Sequence, residues 1–236
     1  MKKTKTKMQS SRKAPLSSAL EDYLKAIYLI RCEENAADET AVSTQALAER
    51  LGVKAPSVTA MIKKLAGLHL VEYAPYQGVC LKPAGEKIAL EIVRHHRLVE
   101  TYLAQVLGMG WHEVHDEAER WEHVLGDEVE EQMAKALGHP ERDPHGAPIP
   151  SIDGKMPRDS WLRLPKAAPG KTYKVCRVYD ESTSLLRHLH ELGVKPGTEI
   201  KVLRSEQMEG VLHLKINGHN KIIGLAPAET VAVCEA

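Results

Sequence analysis

The chain has 236 residues, and its 32 Lys and Arg balance its 32 Asp and Glu, so the length allows one to three domains at zero net charge. No run of about 18 apolar residues occurs, which argues against a membrane-spanning helix, and the basic first residues lack a following apolar segment, which argues against a secretory signal. The four cysteines lie far apart without a C-x-x-C pair, which favours a reducing cytoplasm over a disulfide framework or a structural zinc knot.

The first elements are a tail and a helix. Residues 1–17 are polar and basic, and we predict a flexible tail. The capping-box pattern Ser18-x-x-Glu21, followed by apolar residues at helical spacing, predicts a helix from about Ser18 to Cys32. A polar loop is expected over Glu33–Thr40.

Two short helices and a hairpin follow. Residues 43–53 predict a capped helix that ends at Gly52, and Pro56 is favoured at the first position of a second helix. Two short helices joined by a tight glycine-containing turn are typical of a helix-turn-helix. Leu70–Tyr73 and Val79–Leu81 flank a turn and would form a wing, so a winged helix is predicted over residues 18–90.

The second of these helices has the composition of a DNA-recognition helix. Small polar side chains near its start allow close approach to base edges, and lysines further along can reach phosphates. The alternative is a winged helix used only for protein contact, but the basic tail and the lysines favour double-stranded DNA. The candidate DNA-binding residues are Thr44, Lys54, Pro56, Ser57, Thr59, Lys63 and Lys64.

Residues 115–123, His-Asp-Glu-Ala-Glu-Arg-Trp-Glu-His, form the most informative run. On a helix with about 100° per residue, one arc carries carboxylates and imidazoles beside an apolar arc. The ligand-type arc holds His115, Glu119, Glu122 and His123. The apolar arc holds Val114, Ala118, Trp121 and Leu125. A metal site on a helix requires this extra polar sector, and the alternative is a solvated charged face with incidental histidines.

The preceding helix, from near Pro83 to about Leu107, carries a second ligand-type pair. His96 and Glu100 lie four residues apart and face one way. A lone histidine is more often a surface or core residue than a ligand. Here the pairing and the ligand-rich run that follows favour a metal.

The C-terminal part changes from loops to short strands. Residues 132–169 are rich in Pro, Gly and charge, which predicts that a helical domain ends here and a linker follows. We place the helical domain at 91–155 and the linker at 156–170. From Lys171 onward, alternating segments and the Asn217-Gly218 turn signal predict a small β domain over 171–236.

The order of these parts resembles the diphtheria-toxin-repressor family, over about residues 17 to 236. A winged helix precedes His96-Arg97-Leu98-x-Glu100, the run 115–123, and Gly146-Ala147-Pro148-Ile149-Pro150. The resemblance implies an α+β, mainly α chain with an N-terminal winged helix-turn-helix, a helical dimerisation and metal-binding domain, and a C-terminal SH3-like small β-barrel. It also implies a bacterial regulator that binds DNA as a homodimer when loaded with Fe²⁺ or Mn²⁺.

The resemblance implies two metal sites. One would consist of His96, Glu100 and His115, completed by an acidic residue of the C-terminal domain, for which Glu181 is favoured over Asp180. The other would consist of Glu119, Glu122 and His123, completed by Asp22 of the first helix.

Two departures from the iron-responsive members bear on the metal. Those members have cysteine where this chain has Glu119 and methionine where it has Asp22, and carboxylates in their place favour the harder Mn²⁺. Manganese-responsive members with a paired-ion site have a glutamate where this chain has Lys25, so two separate mononuclear sites are expected.

The sequence therefore predicts a cytoplasmic, homodimeric repressor of metal-uptake genes that senses Mn²⁺, with Fe²⁺ as the second candidate. We expect no enzymatic activity, no small-molecule substrate and no membrane partner. One alternative is a metallohydrolase with a docking winged helix, for which the sequence offers no identifiable nucleophile. Another is a constitutive DNA-binding protein with a structural metal.

Overall fold

The computed structural model describes residues 16–33, 40–157, 159–179 and 182–236. The chain divides into two compact units, Met1–Ala89 and Leu90–Ala236. Within the described ranges, every helix is too short or too polar to cross a bilayer.

The first unit is a winged helix-turn-helix, as predicted. Ser43 caps the second helix by accepting a hydrogen bond from the Ala46 amide at 3.0 Å, and Gly52 ends it in the left-handed region at φ 62°. The wing is antiparallel, and the Val42–Val79 bridge adds the stretch before the second helix to it. Its elements are α1 (Ser18–Glu33), α2 (Thr44–Leu51), α3 (Ala55–Gly67), β1 (Val71–Ala74) and β2 (Gly78–Leu81).

A helical part follows, and α4 runs from the last residues of the first unit into the second. Its helices are α4 (Pro83–Gln105), α5 (His115–Trp121) and α6 (Asp127–Ala136). Buried apolar side chains from α4, α5, α6 and Ile149 form one core. Burial of such side chains stabilises the packing by about 1.5–3 kcal/mol each, and this core fixes the ligand-type residues of α4 and α5.

The C-terminal part is a six-stranded antiparallel sheet with strand order β3-β8-β4-β5-β6-β7. Its strands and helices are β3 (Leu162–Arg163), β4 (Thr172–Val178), α7 (Thr183–Leu192), β5 (Glu199–Glu206), β6 (Val211–Ile216), β7 (His219–Gly224), α8 (Leu225–Glu229) and β8 (Val231–Glu235). Positive φ values at Asn217 and Gly218 make the tight turn between β6 and β7. The last residues of the predicted linker form β3 and a short 3-10 turn, where Leu164 is buried in the barrel core.

The sequence argued against disulfide bonds, and the structure contradicts this for one pair of the four cysteines. The structure joins Cys176 on β4 to Cys234 on β8 in a disulfide across 58 residues of sequence. The two strands pair antiparallel, with a register shift between Val175 and Arg177 that places Cys176 at the bulge. The wide spacing in sequence concealed this neighbouring position in the sheet.

Candidate metal centre and nucleic-acid interface

The predicted pair on α4 meets the first histidine of α5. His96 Nε2 lies 3.1 Å from Glu100 Oε1 and 3.1 Å from His115 Nδ1. His115 Nδ1 lies 3.4 Å from the same Glu100 oxygen. Because His96 and Glu100 are almost completely buried, these polar atoms are held by one another rather than by bulk solvent.

The other nitrogen of His96 faces the end of α5. His96 Nδ1 contacts Glu122 Oε2 and lies 3.5 Å from Glu119 Oε1. Glu119 Oε1 is also 3.8 Å from His115 Nε2, and His123 Nε2 is 3.4 Å from Glu122 Oε1. The structure thus brings five predicted ligand-type residues together as one cluster. We call it the His96 group, and it comprises His96, His115, Glu119, Glu122 and His123.

The local fold of α5 differs in detail from the predicted helix. The helix ends at Trp121, so Glu122 and His123 lie in the turn after it. Trp121, predicted in the apolar arc, is 37% exposed, whereas Glu122 is fully buried. Glu122 keeps helical backbone angles as the C-cap of α5, and its amide donates to the Ala118 carbonyl at 3.0 Å, so its carboxylate still points into the cluster as the helical arc predicted.

Two further residues lie beside Glu100, and the sequence analysis did not select them. Asp143 and His145 each present a ligand atom within 4.8 Å of one on Glu100, and all three residues are buried. His145 Nδ1 is 3.5 Å from Glu100 Oε2. We call Glu100, Asp143 and His145 the His145 group. Asp143-x-His145 was the available signal, but it lies in a Pro- and Gly-rich segment that was taken for the irregular end of the helical domain.

The loop that carries Asp143 and His145 is rigidly built. Asp143 Oδ1 accepts hydrogen bonds from the amides of His145 at 2.8 Å and Ala147 at 2.9 Å. Gly146 adopts φ +86°, and a Cβ there would lie 2.1 Å from the carbonyl oxygen of Cys176. Only glycine allows this approach of the loop to β4.

The environment of Trp111 connects this loop to the barrel. The Trp111 ring centroid lies 5.6 Å from that of His145. Its indole N–H donates a hydrogen bond of 3.1 Å to His190 Nδ1 on α7. Trp111 therefore fills the space between a ligand-type histidine and the C-terminal domain.

Mutual electrostatics set the charge of the His145 group. Burial raises the pKa of Glu100, but nearby His96 and His145 outweigh it and hold the pKa well below the usual value. Burial lowers the pKa of His145, and the Glu100 carboxylate more than reverses this, raising it to about 9. Burial and the neighbouring Glu100 charge raise the pKa of Asp143. The metal-free group therefore carries protons that a cation would displace.

The donor set suits a divalent metal. Both groups combine carboxylate oxygens with imidazole nitrogens, and such mixed ligands are common for Mn²⁺, Fe²⁺ and Zn²⁺. His145 Nε2 is buried and has no hydrogen-bond partner among the described residues. A buried imidazole nitrogen without a partner is costly unless it binds something else, so this atom fits a ligand role.

The roles of three further predicted ligands stay predictions. Asp22 is a half-buried residue of α1 in the first unit, and its role as a ligand stays a prediction. Asp180 and Glu181 lie outside the described residues.

The predicted DNA-binding residues lie on or beside α2 and α3. Pro56 and Ser57 are exposed in the first turn of α3, and Thr59 is half-buried, its hydroxyl donating to the Ala55 carbonyl at 3.1 Å. Thr44, half-buried, begins α2. The exposed cations beside and along α3 are Lys54, Lys63 and Lys64. The helix thus presents a polar start and a basic continuation on the surface of the first unit.

Comparison with known proteins places the chain in a family. The model described as iron dependent repressor, N-terminal DNA binding domain, matches residues 15–79, and the iron dependent repressor, metal binding and dimerisation domain, matches 82–151. The FeoA domain model matches 162–234. The diphtheria toxin repressor of Corynebacterium efficiens is 31% identical over 212 residues, which cover 84% of this chain and 88% of that protein. The chain belongs to the iron-dependent repressor family.

Other members of the iron-dependent repressor family agree in sequence and fold. The iron-dependent repressor IdeR of Mycobacterium leprae is 31% identical over 189 residues, 75% of this chain and 81% of that protein. A manganese-dependent transcriptional repressor in complex with manganese superposes with a TM-score of 0.82 at 37% identity, covering 92% of this chain and 100% of that one. ScaR with bound Zn²⁺ gives 0.76 at 28% identity, covering 92% and 99%. The predicted family and fold class are confirmed, and metal dependence is a property of these relatives.

Proposed function

We propose that this chain is a Mn²⁺-dependent, homodimeric transcriptional repressor, with Fe²⁺ as the second candidate cofactor. One observation carries the choice of metal: the two groups consist of carboxylates and imidazoles, with no thiolate or thioether among them. Carboxylate ligands favour a hard ion such as Mn²⁺, and the absence of sulfur ligands disfavours softer ions. The relatives that bind manganese and the iron-dependent relatives support metal regulation in general.

We assign the ligands to the two groups as follows. The His96 group, with Asp22 from α1, would hold the regulatory cation. The His145 group would hold a second cation, with Asp180 or Glu181 as the remaining acidic ligand. When bound, the cation supplies positive charge that offsets the repulsion among the gathered carboxylates.

The chain's own residues define what the cation would couple. His96 and Glu100 are fixed on α4, whereas Glu119, Glu122 and His123 come from α5 and its following turn. Asp22 belongs to the helix just ahead of the DNA-binding elements. Bringing Asp22 to the cluster would restrict the first unit to the arrangement in which two recognition helices match two half-sites. The metal can shift the population toward this arrangement only as far as it binds this arrangement more tightly than the metal-free one.

Residues of α2 and α3 would bind the operator. Lys54, Lys63 and Lys64 are exposed and would contact phosphates, which carry most of the affinity. Pro56, Ser57 and Thr59 would face base edges, including thymine methyl groups. Thr44, at the start of α2, would contact the sugar-phosphate backbone of the DNA. The homodimer is proposed from the dimerisation-domain match over 82–151. Acting on the chromosome, it would function in the cytoplasm and repress genes of metal uptake.

Fluorescence anisotropy tests this function. Labelled fragments from upstream of the chain's own gene and of a neighbouring metal-transporter gene are titrated with protein in Mn²⁺, in anaerobic Fe²⁺ and in chelator at fixed salt. We expect Mn²⁺ to tighten binding by roughly 5- to 150-fold, the usual range for coupled sites. Equal binding with metal and with chelator would instead indicate a constitutive DNA-binding protein with a structural metal.

A further inference from the structure

His95 is a buried histidine that belongs to neither ligand group. It precedes His96 on α4 and is 4% exposed. Its Nδ1 lies 3.1 Å from the backbone carbonyl oxygen of Glu122, and its Nε2 lies 3.1 Å from Glu130 Oε2. Both histidines therefore contact Glu122: His95 contacts its backbone carbonyl, and His96 contacts its carboxylate.

Glu130 on α6 fixes His95 in turn. Glu130 is 7% exposed, and its second oxygen contacts Arg94 Nε, while the Arg94 guanidinium donates to the Pro150 carbonyl at 2.7 Å. The hydrogen bond from His95 lowers the pKa of Glu130 and outweighs the effect of burial, so Glu130 remains a carboxylate. The result is a continuous hydrogen-bonded path from α6 through α4 to the turn after α5.

The chemistry of the His95 ring assigns it a donating role. Both ring nitrogens face oxygen acceptors, and each contact is satisfied only when its nitrogen carries a hydrogen. A nitrogen that donates to a carbonyl has no lone pair to offer a metal. His95 is thus excluded as a ligand in this geometry, although it directly adjoins one.

We infer that His95, supported by Glu130, is a positioning residue that sets the turn after α5 so that the carboxylate of Glu122 meets His96. A buried ion pair is rarely needed for stability alone, because apolar residues of similar volume often serve as well. Partners that orient metal ligands, in contrast, contribute about 10- to 100-fold to metal affinity. This inference rests on the proposed function of the His96 group.

The test isolates one group at a time in the full chain. His145→Ala leaves the His96 group as the intact cluster, and Glu122→Ala leaves the His145 group. His95→Phe, which keeps a ring but removes both hydrogen bonds, is introduced into each background. Mn²⁺ dissociation constants are measured by electron paramagnetic resonance, with circular dichroism melting as the check on folding. Thr101→Val is the matched control, since Thr101 is a fully buried α4 residue whose hydroxyl donates to the Arg97 carbonyl of its own helix.

We expect His95→Phe to weaken Mn²⁺ binding by about 10- to 100-fold in the His145→Ala background and to leave it unchanged in the Glu122→Ala background. Thr101→Val should change neither. Unchanged affinity in the first background, or an equal loss in both, would overturn the positioning role. If His95→Phe does not fold, Glu130→Gln replaces it, with a smaller loss expected in the same background only. Absence of Mn²⁺ binding in both parent variants and the unaltered chain would contradict the proposed function itself.

Discussion

His96 lies in the middle of the candidate metal ligands. One ring nitrogen faces Glu119 and Glu122, and the other faces Glu100 and His115. The ligand division inferred from the family resemblance assigned His96 to one site and Glu119 and Glu122 to the other. In the structure His96 adjoins both sets, so one imidazole links the ligands that the resemblance divides between two sites.

The first prediction concerns Glu122. Glu122→Ala should abolish the Mn²⁺-dependent gain in DNA affinity, because it removes a fully buried carboxylate from the His96 group. Anisotropy with and without Mn²⁺ measures the effect, and size-exclusion chromatography checks that the dimer persists. Glu117→Ala is the matched control, since Glu117 lies on the same helix but bonds to Arg120 at the surface. A wild-type metal response in Glu122→Ala would rule out this ligand.

The second prediction concerns pH. The pKa of His145 is raised to about 9 in the metal-free protein, and a metal binds only the neutral imidazole. At neutral pH the cation must therefore displace a proton, and its affinity should fall by up to about tenfold for each pH unit below that pKa.

Anaerobic calorimetry in buffers of different ionisation enthalpy counts the released protons between about pH 6 and 8. The Glu122→Ala variant isolates the His145 group, and adding His145→Ala should abolish the remaining Mn²⁺ binding together with its proton release. Mn²⁺ binding to the isolated group without proton release would contradict the charge state that we assign.

At the scale of elements, helices were easier to predict than the loop. The ligands of α4 and α5 were visible because a helix repeats every 3.6 residues and groups them on one face. Asp143 and His145 were missed because the burial of an irregular segment depends on tertiary contacts, here with β4 and Trp111. Glu122 and His123 were placed on the helix, whereas α5 ends at Trp121, because periodicity does not specify where a helix stops.

The third prediction concerns the loop glycine. Gly146→Ala should destabilise the chain by more than the roughly 1–3 kcal/mol of a strained backbone, because the new Cβ would also meet the Cys176 carbonyl. Gly170→Ala is a close control, with φ +85° against +86° but nothing within 4 Å of its Cβ. Urea denaturation of both variants measures the difference, and equal losses would show that the close approach is unimportant.

The fourth prediction concerns α3. Lys63→Ala should weaken binding to all DNA sequences and reduce the slope of log affinity against log salt by about 0.9, the value for one lost phosphate contact. Ser57→Ala should instead change the preference among operator variants. Lys215→Ala, an exposed lysine of β6, serves as the charge-matched control. A reduced salt slope in this control would indicate a general charge effect.

At the scale of the molecule, the order of three parts was the most predictable property. A winged helix, a ligand-rich helical region and a β barrel differ in periodicity and composition, so their succession is visible along the chain. The Cys176–Cys234 bond was not predictable, because strand order in a sheet brings together residues that are distant in sequence. The wing and the barrel core, by contrast, followed from alternating apolar residues and turn signals.

The fifth prediction concerns the whole chain. Free Mn²⁺ at about 100 times its dissociation constant should stabilise the folded state by about 2.7 kcal/mol per site, provided that the unfolded chain does not bind it. Chemical denaturation with Mn²⁺, with Mg²⁺ and after chelation measures this effect. Mg²⁺ prefers oxygen ligands and retained water, so it should stabilise less. Equal stabilisation by both ions would argue against imidazole ligation.

The position of Trp111 gives the chain an optical reporter of its own. The chain has three tryptophans, and the ring centroid of this one lies 5.6 Å from that of His145, while its indole N–H donates to His190. A paramagnetic cation at the His145 group would quench the emission of a fluorophore so close to it. Occupancy of that group could therefore be followed in the unlabelled protein, with Trp111→Phe identifying the part of the signal that comes from this indole.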